Sequence, residues 1–230
     1  GFGDVRNCSW DGNLVVRAGQ YVGGIVGRGS ARNCISSGSI AVQNINYNSQ
    51  SNPNSSGYIG GIAGSGNIIE GCYSNTYMDV SGTVYSNSTG ATGTTGNIST
   101  GKIAGRAQNI KNCYSHSTGR VLNSSLRHYA FTYLVGTLSG TAENCYGPVA
   151  HEGSYELVNC IGSTTDPNLE SRYYMVETMG WDESIWCFGY GLPVFYGTEY
   201  IRVIYKNCEG VNNDENPSAY QVGSDGFTLA

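Results

Sequence analysis

Apolar and polar residues alternate along this chain in short runs, and one run keeps returning. Five segments carry the same phrase: Asn7-Cys8-Ser9, Asn33-Cys34-Ile35-Ser36, Gly71-Cys72-Tyr73-Ser74, Asn112-Cys113-Tyr114-Ser115 and Asn144-Cys145-Tyr146-Gly147. Ahead of the last four stands a glycine-framed apolar run, at residues 22–27, 59–64, 101–105 and 135–140. Alternation with a period of two predicts extended strands, with Cys34 and Ser36 on one side and the intervening residue on the other. Recurring paired anchors mark a repeat array, in which each unit buries its apolar face only against its neighbours. The expected fold is all-β, a parallel β-helix or similar β-solenoid, taken as right-handed because parallel crossovers are. The only helical period is a weak one at residues 172–179.

The cysteines of the phrase are spaced by 26, 38, 41 and 32 residues, so the repeat length varies while its anchors do not. The variation falls in Asn-, Ser-, Thr- and Gly-rich stretches at 43–56, 85–100 and 123–130, which read as loops leaving one side of the stack. Equivalent positions in successive units should then stand about 4.8 Å apart. Cys34, Cys72, Cys113 and Cys145 are expected to form one buried ladder, with Asn159-Cys160 as a sixth phrase. Ile25, Ile62, Ile103 and Leu138 are expected to form a second ladder. Placement at equivalent positions favours free, buried thiols, which behave as small hydrophobes, with disulfides as the second reading.

Composition fits this picture. The 230 residues include 34 Gly and 18 Tyr, with 13% charged and 39% apolar residues, which allows a thin core rich in turns. A net charge of −5 with only 12 Lys and Arg argues against nucleic acid as a partner. No apolar stretch approaches the length of a membrane span, so no membrane insertion is expected. The chain opens and closes in mid-pattern, which predicts that it is covalently part of a longer chain.

Gly-Gly-Ile-Val-Gly, then Asn-Cys-Tyr-Ser and a valine five residues on, resembles the GLUG repeat of bacterial surface proteins. Residues 23–42, 60–80, 101–121 and 136–149 carry the pattern, with Ile for the family's usual Leu at 25, 62 and 103 and Lys102 in place of a glycine. The resemblance implies a secreted or wall-attached, extracellular protein, some relatives carrying peptidase domains elsewhere, and it implies no activity for the repeats themselves. Composition shifts near Asp166. The aromatic segment with Trp181, Trp186 and Leu192-Pro193 reads as a C-terminal cap over the open end of the array and resembles the ending found after GLUG arrays. Tyr205, Asn213, Asn216-Pro217, Tyr220 and Phe227-Thr228-Leu229 resemble the first half of a Listeria–Bacteroides repeat, a β-grasp-like module. The expected organisation is therefore 1–165 repeat array, 166–198 cap and 199–230 the truncated β-grasp-like segment.

Candidate chemistry is sparse. His116, His128 and His151 lack ligand spacing, and no Cys-x₂-Cys pair exists, so neither a metal nor another cofactor is expected. No serine sits on a Gly-x-Ser-x-Gly elbow. Asp4, Asp11, Asp79, Glu143, Glu156, Asp166 and Asp182 are scattered, whereas a polysaccharide-cleaving β-helix needs carboxylates converging on one face. Calcium-binding nonapeptides are missing. The repeated feature with contact area is Tyr73, Tyr114 and Tyr146, one per unit at the same position, with Ile35 in register. They read either as a binding platform for a host glycan or surface protein, or as aromatic packing covered by neighbouring loops. The chain reads as a non-enzymatic spacer and adhesion surface. A β-helix enzyme acting on polysaccharide and an accessory array of a secreted peptidase are the alternatives.

Overall fold

The computed structural model describes residues 2–17, 19–43, 45–47, 56–81, 84–86, 97–121, 127–128, 132–160, 171–187, 194–195, 200–202 and 219–221. Two compact units result, Gly1–Thr164 and Thr165–Ala230. The first is built from β1 (Val5–Val16), β2 (Tyr21–Gly23), β3 (Val26–Arg28), β4 (Ala31–Val42), β5 (Ile45–Tyr47), β6 (Ser56–Gly60), β7 (Ala63–Val80), β8 (Val84–Ser86), β9 (Asn97–Gly101), β10 (Ala104–Lys111), β11 (Tyr114–Ser115), β12 (Thr118–Val121), β13 (Arg127–His128), β14 (Val135–Leu138), β15 (Thr141–Glu143), β16 (Ala150–Glu152) and β17 (Glu156–Val158).

All the pairings in this unit are parallel, and each repeat adds one rung. In the larger sheet the backbone order is β1-β4-β7-β10-β14-β16. Cys8 stands opposite Cys34 and Cys34 opposite Cys72, and the match continues through Ser36 and Ser74, Ile40 and Met78, and Val42 and Val80. Tyr73 then faces Tyr114, and Tyr114 faces Tyr146. A second parallel sheet runs β13-β9-β6-β2, with Val22 opposite Ile59 and Gly23 opposite Gly60 opposite Gly101.

The interior follows from strand parity. Even-numbered residues of β4 and β7 from Cys34 and Cys72 onward point in, so Cys34, Cys72, Ile40, Met78, Val42 and Val80 are buried. Ile40, Val42, Met78 and Val80 of the larger sheet pack against Val22, Ile59 and Ile98 of the smaller one. A second cluster holds Ile62, Ile103, Leu134, the cysteines and small alanines. Between them lies a group of buried hydroxyls. Ser36 Oγ donates to Ser74 Oγ at 2.9 Å, and the Ser74 and Ser117 hydroxyls are 2.7 Å apart. Ser117 Oγ accepts the Thr76 N–H at 2.9 Å, and Ser115 Oγ donates to the Ser74 carbonyl at 2.7 Å. Mutual pairing is what lets such groups be buried without a large desolvation cost. Trp10 stands opposite Ser36 in this column, and the absence of a side chain at Gly24 leaves room for its ring.

The four thiols from Cys34 to Cys145 are buried and free, as the repeat register requires. The isoleucine ladder needs correction. Ile25 N–H donates to Ile62 O, Ile62 N–H to Ile103 O, and Ile103 N–H to Leu134 O. Leu134, not Leu138, is therefore the fourth rung. Val135 pairs with Ala104, and Leu138 pairs with Ala107 instead.

A left-handed backbone position precedes the cysteine of each phrase. Asn7, Asn33, Asn112, Asn144 and Asn159 have φ of 50–54°, and Gly71 has φ 58° at the same place in its repeat. Asparagine and glycine are the residues that enter this region at least cost. Replacing Gly71 by asparagine should therefore change stability by less than about 1 kcal/mol. Isoleucine there, β-branched at positive φ, should cost about 1–3 kcal/mol, both read by urea denaturation.

In the second unit, the weak helical period at 172–179 corresponds to a π-helical turn, Tyr174–Thr178, with Met179 N–H bonded to Tyr174 O. Met175, Met179, Trp181, Trp186 and Cys187 are buried, and the two indoles lie 4.9 Å apart. Strands β18 (Trp186–Cys187) and β19 (Val194–Phe195) pair antiparallel, as do β20 (Tyr200–Arg202) and β21 (Ala219–Gln221). Most of the expected insertion loops, Cys208, and most of the β-grasp-like segment lie outside the described residues. Among the described residues, no helix is long and apolar enough to cross a membrane.

Candidate binding face

The outer surface of the larger sheet carries the odd-numbered residues of β7: Tyr73, Asn75, Tyr77 and Asp79. Beside them stand Ile35, Ser37, Ser39 and Ala41 of β4, then Ser9, Asp11, Asn13 and Val15 of β1. On the other flank β12 places Thr118 beside Tyr77 and Arg120 beside Asp79. Rows are thus spaced by about 4.8 Å across strands.

The tyrosine column exists, but it is not an exposed stripe. The Tyr73 and Tyr114 rings stack at 4.4 Å and 19°, with the His116 imidazole edge-on to both at 6.3 and 5.8 Å. Tyr114 and Tyr146 are each only 1% exposed, and Tyr73 is half-buried. A ring sandwiched at rung spacing has little face left for water, so outward direction does not produce accessibility here. Burial pushes the Tyr73 phenol up to about 12 and raises Tyr114 as well, with the neighbouring Tyr73 adding to the effect. Burial, reinforced by Lys102, holds the His116 imidazole below its ordinary value. These three tyrosines therefore pack the stack, and a ligand platform made of all three is excluded by their burial.

Among the described residues of this face, the exposed aromatic is Tyr77, 43% exposed. Arg120 donates to Asp79 Oδ2 from Nε at 3.0 Å and from Nη2 at 2.7 Å, and the carboxylate raises the guanidinium further. Two strands away Ser39 Oγ donates to Asn13 Oδ1 at 2.7 Å. Asn75 and Tyr77, two and four residues beyond Tyr73, carry no repeated signature of their own, and the sequence reading did not single them out.

A charged column runs two residues before Cys34, Cys72, Cys113 and Cys145. Arg32 bonds Glu70 at 3.0 Å, Lys111 bonds Glu143 at 2.9 Å, and Glu70 pairs in register with Lys111. From Arg32 to Glu143 the signs alternate, whereas Arg6 stands in register with Arg32 at the start of the column; each partly exposed ion pair contributes only about 0.2–1 kcal/mol. Asp79 and Glu143 lie in different columns, and Asp4 accepts the Ser30 N–H at 3.0 Å. Among the described residues, no three His, Cys, Asp or Glu side chains are grouped to hold a metal ion.

Comparisons with known families, with curated proteins and with solved structures find no match for this chain. What the face offers chemically is thus read from its residues alone: a flat grid of hydroxyl, amide and ion-pair groups with one exposed ring, suited to recognition of a polar, flat-sided ligand.

Proposed function

We propose that the chain is a β-helical array of GLUG-type repeats that serves as a non-catalytic extracellular spacer and binding surface of a bacterial cell-surface protein. The observation that carries this reading is the one-rung-per-repeat register. It stacks the Asn/Gly–Cys phrases of successive units, fills the interior with structural side chains and leaves an extended outer sheet face. A fold whose buried polar groups bond one another commits those groups to holding the stack. The exposed groups around Tyr77 are then the ones left for contact with a glycan or a surface protein.

The test is binding of the whole chain to a glycan array and to host cells, for wild type and for Tyr77→Ala combined with Asn75→Ala. Both positions are exposed, so stability should stay within about 0.5–1 kcal/mol of wild type. Binding should fall about tenfold or more, as for truncation of an interface anchor. Undiminished binding by the folded variant would remove this face as the site. Cleavage of any polysaccharide by wild type would reject the non-catalytic reading.

A further inference from the structure

Two exposed arginines on one flank of the array, Arg28 of β3 and Arg106 of β10, have no carboxylate partner among the described residues. Arg32, Lys111, Arg120 and Arg172, by contrast, are each paired with an acid. Arg28 and Arg106 both stand in register with Ser65 of β7, one from each side, so the three residues occupy successive rungs of one column. Ser65 is half-buried. Beside the column the Tyr21 and Tyr58 rings stack at 5.7 Å and 11°. The Arg28 guanidinium carbon lies 5.5 Å from the Tyr21 ring centroid, and that of Arg106 lies 5.9 Å from the Tyr58 centroid. Phe2 and β7 flank Arg28, and β7 and β14 flank Arg106. Both guanidiniums are therefore exposed through the side of the stack and not through its end.

A ring face attracts a cation without cancelling its charge. It also fixes where a long side chain stands, so less rotamer freedom is lost when a ligand binds. The guanidinium N–H fork matches a planar carboxylate through two parallel hydrogen bonds. Two rungs separate the arginine backbones by about 9–10 Å, so the two forks serve separate acidic groups. A matching ligand carries carboxylates at intervals along its length, with neutral polar atoms between them for Ser65. Nucleic acid fits poorly, because its backbone needs a broad basic face and this chain has a net charge of −5.

We propose that Arg28, Ser65 and Arg106, braced by Tyr21 and Tyr58, bind a linear polyuronate, an acidic polysaccharide with a carboxylate on each sugar. Each guanidinium takes one carboxylate, and the Ser65 hydroxyl bonds a sugar oxygen between them. Ser65 and Tyr77 lie toward opposite ends of β7 (Ala63–Val80), so this site is separate from the face around Tyr77.

The whole chain is titrated calorimetrically with a long oligogalacturonate at neutral pH and low salt. Binding should saturate and should weaken as salt is added. Arg28→Gln combined with Arg106→Gln should weaken it about tenfold or more, through loss of the charged hydrogen bonds. Both positions are exposed, so this variant should melt as wild type does. Arg106→Lys keeps the charge but loses the fork, and should also weaken binding. The methyl-esterified oligosaccharide, which has no charge, should not bind. Tyr77→Ala combined with Asn75→Ala should bind as wild type does, which separates this site from the Tyr77 face. If the double glutamine variant does not fold, the ester and Arg106→Lys decide. Failure of wild type to bind, equal binding of the ester, or full affinity in either arginine variant would overturn the proposal. So would loss of binding in the folded Tyr77 and Asn75 variant.

Discussion

Replacing Gly60 by valine is expected to cost at least about 3 kcal/mol, a large share of the roughly 5–15 kcal/mol that stabilises a typical domain. A Cβ at Gly60 would fall 2.3 Å from Ala63 O, 2.5 Å from Ala104 Cα and 2.6 Å from Ile103 O. All three are backbone atoms, and two belong to the next rung, so no side-chain rotation relieves the clash. The same column meets the same crowding at Gly23, with Val26 O at 2.4 Å, and at Gly101, with Ala104 O at 2.0 Å. Here the chain turns from the smaller sheet into the larger one, and the backbone of the next rung comes close. The requirement is steric, since none of these glycines has a positive φ. Urea denaturation followed by circular dichroism measures the cost. A variant within about 1 kcal/mol of wild type would mean that the corner is not packed this way.

Truncating Tyr114 to alanine should cost about 3–5 kcal/mol, whereas Tyr77→Ala should stay within about 0.5 kcal/mol. Both side chains leave the same sheet on the same face, so direction alone would rank them together. The difference lies in their neighbours. Tyr114 is stacked between the rungs of Tyr73 and Tyr146 with His116 against its edge, while Tyr77 has Thr118 on one side and Ser39 on the other. Melting curves of the two single variants separate the cases. Equal, small effects would restore the tyrosine column as an exposed surface and contradict its burial.

The recurring Asn-Cys-Tyr-Ser phrase made the stacking of the cysteines readable, because parallel in-register neighbours meet their own equivalents and so favour the same residue type on every rung. The left-handed position left a signal that the sequence reading did not use: Gly71 replaces the asparagine of the other five phrases because both residues tolerate positive φ. The fourth rung was misaligned because residues 135–140 imitate the glycine framing of residues 59–64. Hydrogen bonding instead aligns Leu134-Val135-Gly136 with Ile103-Ala104-Gly105, a shift of four residues that local pattern does not reveal. The burial of Tyr114 and Tyr146 was hidden for another reason. Strand parity tells which face a side chain occupies, but not what lies over that face. The charge column of Arg32, Glu70, Lys111 and Glu143 is regular relative to the cysteines, yet the unequal repeat lengths mask it when the chain is read linearly.

If each repeat adds one rung, the cysteines report on it directly. With ¹³C placed only in cysteine, through-space NMR correlations should link Cys8 to Cys34, Cys34 to Cys72, Cys72 to Cys113, Cys113 to Cys145 and Cys145 to Cys160, each a nearest neighbour in the stack. No correlation should skip a rung, because second neighbours stand about 9–10 Å apart. Correlations between non-successive cysteines, or the absence of the Cys34–Cys72–Cys113 chain in folded protein, would contradict the stacking of the repeats.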